Sequence, residues 1–222
     1  MNLKEFFKKY KHAVTWLYFA IYLPWFVYLE KHVVKSYHVI HMDIDDKIPF
    51  NEVFIIPYML WFAYVAVTFL YFFFYDKRSY RKMCLFLFSG MTIFLIISTI
   101  YPNGHLLRPS TFEHNNIFTQ MVSALYKADT PTNLFPSIHV YNSIGTHLAI
   151  VKSEKLKEKK GLCFASFILM TLIIMSTVML KQHSVFDVIT AFIMAGVAYT
   201  LVYRNELILS DSKENEYQRT LS

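Results

Sequence analysis

Six mostly apolar stretches recur along the chain and are separated by polar segments. They cover about residues 13–29, 53–75, 83–104, 134–151, 161–180 and 185–203. Each is close to the roughly 20 residues that an α-helix needs to cross a bilayer core. The pattern predicts an all-α integral membrane bundle of six transmembrane helices in a single membrane domain, 1–222, with a polar tail at 204–222.

Composition favours a membrane protein over a soluble or disordered one. Hydrophobic residues make up 55% of the chain and aromatic residues 18%, which is too apolar for an ordinary soluble domain. The fourth stretch is the least typical span because it contains His139 and His147. The first stretch continues through Pro24 without a small-residue cleavage site, so we expect a retained span rather than a signal peptide.

Basic residues mark one side of the membrane. The net charge is +6, and the clusters that produce it precede the first stretch and fill the second-to-third and fourth-to-fifth connections. Because cytoplasmic loops are enriched in lysine and arginine, both termini are predicted to be cytoplasmic. A topology signal explains these charges better than nucleic-acid binding. The residues are Lys4, Lys8, Lys9, Lys11, Lys77, Arg78, Arg81, Lys82, Lys152, Lys155, Lys157, Lys159 and Lys160.

Alternation of the helices places three polar patches on the outer side. The first, "YPNGHLLRPSTF" at residues 101–112, ends the third stretch with turn residues and carries Arg108. On this patch alone two interpretations stay open. Arg108 is an interfacial side chain that reaches for the membrane surface, or it is a phosphate ligand, because its forked donors match phosphate oxygens.

The second patch, "NLFPSIHVYNSIG" at residues 133–145, predicts the start of a helix. Pro136 and Ser137 are typical of a helix N-terminus, with Ser137 as the cap and His139 in the first turn. The free N–H groups of such a terminus favour an anion, and His139 could donate a proton to a leaving oxygen. The alternative is a hydrogen bond from His139 to a neighbouring helix, which we expect for the deeper His147.

The third patch, "KQHSVFDVI" at residues 181–189, places His183 and Asp187 four residues apart, a spacing that stacks side chains on one helical face. An aspartate that accepts from one ring nitrogen leaves the other nitrogen free to attack phosphorus. The alternative is a structural hydrogen bond. Ionisable groups at membrane depth are costly, however, so a functional role is the default expectation.

Together the three patches resemble the type 2 phosphatidic acid phosphatase superfamily, and within it the branch of inositol-phosphorylceramide and sphingomyelin synthases. The stretches that match its motifs in order and spacing are "YPNGHLLRP", "PSIH" and "STVMLKQHSVFD". Three positions depart from the family pattern. Tyr101 stands where the family has lysine, Ile138 where it has glycine and Thr177 where it has arginine.

The resemblance implies a set of site residues and a reaction. His183 would attack as the nucleophile, Asp187 would orient it, and His139 would act as the acid and base. Arg108, Ser137 and Lys181 would bind the phosphate. A phosphohistidine enzyme of this kind needs no metal and no cofactor. The two missing cations weaken charge compensation in the transition state, which leaves room for hydrolysis or for transfer to a lipid alcohol.

The first outer loop is rich in possible metal ligands. It carries three histidines and three aspartates, and zinc or manganese could accept such ligands. Their spacing matches no compact metal motif, so we favour a solvated loop that covers the mouth of the site. The residues are His32, His38, His41, Asp43, Asp45 and Asp46.

We therefore predict a multi-pass membrane enzyme, in the plasma membrane, that hydrolyses a lipid phosphate ester or pyrophosphate at the extracytoplasmic face. A lipid phosphotransferase is the alternative within enzymes, and a headgroup transporter or binding protein is the alternative from another class. Membrane lipids and a lipid phosphate substrate are the expected partners. Nucleic acid is not an expected partner, and the sequence does not identify a protein partner.

Overall fold

The computed structural model describes residues 11–32 and 36–204, so the expected polar tail after Arg204 and the lysines before residue 11 lie outside the described residues. Two 3-10 helices (Lys11–Tyr18 and Glu52–Phe54) precede the first and third helices, and a π-helical turn (Thr200–Arg204) follows the last. The helices are α1 (Phe19–His32), α2 (Asp43–Lys47), α3 (Ile55–Tyr75), α4 (Lys77–Ile100), α5 (Ile117–Ala128), α6 (Ile138–Lys152), α7 (Lys160–Met179) and α8 (Val185–Tyr199).

Five helical segments in the described part of the chain are long and apolar enough to cross a membrane. They are His12–His32, Glu52–Tyr75, Lys77–Ile100, Lys160–Met179 and Val185–Arg204. The fourth predicted span corresponds to α6, which has only 15 residues. A mostly helical protein is thus confirmed, with five helical segments among the described residues that could span a membrane. Six spans, one domain and cytoplasmic termini stay predictions.

The polar character of α6 follows from its central position. It packs against α3, α4, α7 and α8, so nearly every face meets protein rather than lipid. Asn142, Ser143 and Thr146 are accordingly buried. His147 donates to or accepts from the Ser166 hydroxyl on α7 at 2.9 Å, which confirms the expected helix-to-helix bond.

Two glycines allow α4 and α6 to approach closely. A Cβ atom at Gly90 would lie 2.0 Å from the ring of Tyr141, and one at Gly145 would lie 2.5 Å from the ring of Phe86. Each helix thus accommodates an aromatic ring of the other at a glycine. The Tyr141 hydroxyl also donates to the Phe86 carbonyl at 2.8 Å.

Helix boundaries differ from the sequence prediction where capping decides them. The stretch predicted at 83–104 is a helix from Lys77 to Ile100, because the Asp76 carboxylate caps its N-terminus by accepting from the Ser79 N–H. Positions 103–104 are not helical. They form β2 (Asn103–Gly104), which pairs in parallel with β1 (His38–Val39) of the first outer loop.

The outer connections are joined to one another by backbone hydrogen bonds. The Ile40 N–H donates to the Gly104 carbonyl at 2.7 Å, and the Asn133 N–H donates to the Asn103 carbonyl at 2.7 Å. The amphipathic helix α5, which the sequence analysis did not predict, lies between these connections in the chain. The Ser137 N–H also donates to the Asp187 carbonyl at 3.3 Å, so backbone hydrogen bonds join all three outer patches.

Candidate active site

The structure brings His183 and Asp187 into contact, as predicted, but not on one helical face. The His183 Nδ1 atom lies 3.3 Å from Asp187 Oδ2. Helix α8 begins only at Val185, with Ser184 as its cap, and the same Oδ2 atom accepts the Ser184 N–H at 3.0 Å. The pair is thus formed by a capping box, because His183 belongs to the turn before the helix, and the face prediction was wrong.

His139 lies on the other side of the same space. Ser137 caps α6 by accepting the Val140 N–H, and His139 follows in the first turn, as predicted. The ring centroids of His139 and His183 are 5.8 Å apart. The ring of His139 stacks on Tyr58 and contacts Trp61, with no hydrogen bond to any described residue.

A cavity of about 670 Å³ connects these histidines to the membrane-spanning helices. Most of its wall is aromatic and aliphatic, contributed by α1, α3 and α4. The polar lining is confined to a few residues. They are Glu30, Asp129, Thr132, Asn133, His139, Asn142 and His183. Since His183 is only 6% exposed and its Nε2 atom has no hydrogen-bond partner among the described residues, that nitrogen is available to a molecule in the cavity.

Arg108 lies behind the cavity wall rather than in it. Its guanidinium donates to the Gln182 Oε1 atom at 2.6 Å and to the Asp129 carbonyl at 2.7 Å, and it lies 3.4 Å from the Asp129 carboxylate. The ring of Tyr126 covers it at 4.5 Å. Burial lowers the pKa of Arg108, and Asp129 opposes that shift. The arginine therefore connects the loop after α5 to the turn that carries His183.

Lys181 points to the first outer loop. Its ammonium donates to the carbonyls of Asp45 at 2.6 Å and Ile48 at 2.5 Å, and burial lowers its pKa. The Asp45 carboxylate accepts the Ser184 hydroxyl at 2.6 Å and the Val185 N–H at 2.8 Å. Asp45 and Lys181 thus hold the loop against the start of α8, next to His183, and phosphate binding by Lys181 stays a prediction.

Short or outward-facing side chains occupy the two positions where the family pattern has cations. Tyr101 is 43% exposed and its ring stacks on His38 at 4.2 Å. The Thr177 hydroxyl returns to its own helix by donating to the Ile174 carbonyl, while the Thr177 carbonyl accepts the N–H of His183 at 3.0 Å. Neither position supplies a positive charge to the cavity.

The sequence analysis missed several residues that support the site. The Asn103 side-chain oxygen accepts the N–H groups of Leu134 and Phe135, both at 2.9 Å, and so fixes the segment before Ser137. The His105 Nε2 atom donates to the Gln182 carbonyl at 3.0 Å. Both residues lie within the quoted first patch, and an uncharged polar side chain just past a span is the signal that could have identified them.

Burial shifts two further titratable groups. It raises the pKa of the Asp129 carboxyl to about 6, against the opposing effect of Arg108. It lowers the pKa of His105 to about 4. Asp129 and Glu30, the two carboxylates of the cavity, were not among the predicted site residues, because their proximity arises from segments about a hundred positions apart.

The possible metal ligands of the first outer loop face different directions in the structure. His41 pairs with Asp46 at 3.0 Å on the exposed side of the loop, and the pairing raises the pKa of His41. Asp45 faces inward instead. Over residues 11–32 and 36–204, no three histidine, cysteine or carboxylate side chains are arranged to hold a metal ion.

Comparison with known proteins agrees with the motifs. The family model described as PAP2 superfamily matches residues 106–207, a range that includes Arg108, His139 and His183. Its members are phosphatases or related phosphotransferases. Comparison with curated proteins and with solved structures gave no match.

Proposed function

Because residues 106–207 belong to the PAP2 superfamily, we propose that the protein is a membrane enzyme that cleaves or transfers the phosphoryl group of a lipid. The observation that carries the proposal is the apolar cavity with His183 and His139 at its polar end. Lipid chains would occupy the apolar part, and the phosphoryl group would lie beside the two imidazoles. The extracytoplasmic orientation and the plasma membrane location remain predictions.

In the proposed first step, the Nε2 atom of His183 attacks phosphorus and the bond from phosphorus to the lipid oxygen breaks. Asp187 holds the other ring nitrogen, which fixes the tautomer and stabilises the charge that develops on the ring. His139 donates a proton to the leaving oxygen. The N-terminus of α6, which follows Ser137, supplies amide N–H groups for the phosphoryl oxygens.

In the second step, an acceptor oxygen attacks the phosphohistidine and His139 takes its proton. Water as acceptor gives a phosphatase, and a lipid alcohol gives a phosphotransferase. One feature favours the second reaction: Tyr101 and Thr177 leave the cavity without the cations typical of the hydrolytic members.

The test is single-turnover phosphoryl transfer by the purified full chain in detergent with EDTA. We expect His183→Gln to lower the rate on the order of a thousandfold or more and to abolish a base-stable phosphoprotein intermediate. His147→Gln is the matched control, because His147 bonds Ser166 and does not line the cavity. Added diacylglycerol distinguishes transfer from release of free phosphate.

Two results would contradict the proposal. One is full turnover in His183→Gln with normal folding. The other is strict dependence on a divalent ion.

A further inference from the structure

The polar end of the cavity contains two carboxylates and two histidines but, among the described residues, no lysine or arginine. Glu30 and Asp129 line it beside the histidines. A cavity that held only an anionic phosphate would place like charges together, and like charges at short range repel. The carboxylates therefore point to a positive group on the same ligand.

Glu30 is fixed in place by its neighbours. Its carboxylate accepts the Thr130 hydroxyl at 2.7 Å and the Asn133 side-chain N–H at 3.2 Å. Asp129 is less well satisfied, since its one charged partner is Arg108 at 3.4 Å and its side chain is 34% exposed. Two acceptor groups are thus held side by side with capacity for further donors.

Two buried amide oxygens strengthen this acceptor surface. Asn133 and Asn142 are 4% and 3% exposed, both line the cavity, and the Oδ1 atom of each has no donor. The orientation of Asn133 is set because its NH₂ group faces the Glu30 carboxylate. Buried acceptors without a donor are rare and destabilising, so a ligand with several N–H donors would satisfy them.

A primary ammonium has the required chemistry. It carries a positive charge and three N–H donors with no acceptor. A quaternary ammonium would match the charge but would supply no donor to Asn133 or Asn142.

We propose that the cavity selects a lipid phosphate that also carries a primary ammonium, which binds at Glu30, Asp129 and the two asparagine oxygens while the phosphoryl group lies at His183. This inference rests on the proposed function and adds the substrate class. The ammonium has two chemical sources, an ethanolamine headgroup on a phosphodiester or the amino group of a long-chain amino-alcohol phosphate.

The first experiment measures equilibrium binding of lipids to full-length His183→Gln protein in nanodiscs, where turnover is blocked. Phosphatidylethanolamine is compared with its mono-, di- and trimethylated forms, which keep the charge and lose N–H donors one at a time. A long-chain amino-alcohol phosphate is compared with its N-acylated form. We expect affinity to fall roughly tenfold or more across at least one series, and the series that responds identifies the source.

Equal affinity across both series, or preference for the donor-free forms, would overturn the inference. Turnover by the unmodified protein is scored separately. Selective binding of the ammonium lipid without turnover would refute the proposed function only. Turnover with preference for phosphatidic acid would refute the substrate class only.

The second experiment assigns selectivity to the carboxylates. Asp129→Asn and Glu30→Gln keep an oxygen for Arg108 and Thr130 but remove the charge, so we expect each to weaken the response to N-methylation. Asp46→Asn, an exposed carboxylate paired with His41, is the control and should leave the response intact. Phosphatidic acid binding should persist or improve in Asp129→Asn. If that variant instead retained full ammonium selectivity, the assignment would be wrong.

Discussion

Two outer carboxylates lie close to the turn that carries His183, and their surroundings differ. Asp45 is 2% exposed and accepts the Ser184 hydroxyl and the N–H groups of Val185 and Met42, at 2.6, 2.8 and 2.8 Å. Among the described residues, the Asp129 carboxylate has one hydrogen-bonding partner, Arg108 at 3.4 Å. The hydrogen-bonding capacity of Asp45 is fully used within the fold, whereas Asp129 can accept further hydrogen bonds from a ligand.

The comparison separates the two carboxylates by exposure and by the number of donors. Asp45 is 2% exposed and accepts three hydrogen bonds, whereas the Asp129 side chain is 34% exposed and pairs with Arg108. Asp45 stabilises a helix start and holds a loop, so its removal should affect the fold first. Asp129 leaves acceptor capacity facing the cavity, so its removal should affect ligand choice first. Four predictions follow from this contrast, in decreasing order of effect.

The largest effect is expected for Asp45→Ala. It leaves three donors near the start of α8 without a partner, and hydrogen bonds to a charged group contribute about 1.5–3 kcal/mol each. We expect a loss of about 4 kcal/mol in the free energy of unfolding, discounting for relaxation, with reduced turnover. Thermal unfolding in detergent measures this loss. As a control, Asp43→Ala at an exposed neighbouring position should leave the free energy of unfolding nearly unchanged. If the Asp45→Ala protein were instead stable but inactive, Asp45 would take part in the reaction itself.

Lys181→Met should have the next largest effect. The change removes two bonds to loop carbonyls, so we expect a loss of about 2 kcal/mol in stability with little change in KM. Lys47→Met is the control, because Lys47 is an exposed lysine of the same loop. A rise in KM at unchanged Tm would support phosphate binding by Lys181, as the sequence predicts.

A pH dependence of about tenfold is expected for ammonium selectivity. The pKa of Asp129 is raised to about 6 by burial, so its charge is present above that pH and is lost below it. The titratable and charged side chains that face it are Arg108, Glu30 and His183. The ratio of affinities for ethanolamine and choline lipids should fall as pH decreases from 7.5 to 5. In Asp129→Asn the ratio should be small throughout.

The smallest effect concerns the stability of Asp129→Asn. A raised carboxyl pKa means that ionisation opposes folding, so the unmodified protein should lose stability as pH rises from about 4 to above 6. Removing the charge should therefore stabilise the protein by about 1 kcal/mol or less at pH 7.5, given solvent screening. Thermal unfolding against pH measures this. Destabilisation at pH 7.5 would indicate that the pair with Arg108 dominates instead.

The sequence predicted those features that depend on local chemistry. Ser137 caps α6 because serine after proline suits a helix start. The contact of His183 with Asp187 was predicted as well, although it is made by the capping turn of α8 and not by one helical face. The order and spacing of the family's motifs then identified the same residues. The length of the apolar stretches also predicted most of the long helices, since a segment that crosses the bilayer must present hydrocarbon to lipid.

Features that depend on distant segments could not be predicted in this way. Asp45 lies among three similar carboxylates, and only the fold turns it inward while Asp46 faces solvent. Lys181 adopts a left-handed backbone with φ of 52°, in a turn that directs its ammonium to the loop. Glu30 and Asp129 share a wall because α1 and the loop after α5 meet, across about a hundred positions of sequence.

The glycine contacts between α4 and α6 have a mechanical consequence for a protein in lipid. Sliding one helix past the other by a turn, about 5.4 Å, would drive the Tyr141 ring out of its place at Gly90 and the Phe86 ring out of its place at Gly145. The depth of His139 is therefore locked to that of α4. When bilayer thickness changes, we expect adjustment by tilt in the first helix, which is the least buried of the five candidate spans, while His139 keeps its depth relative to α4.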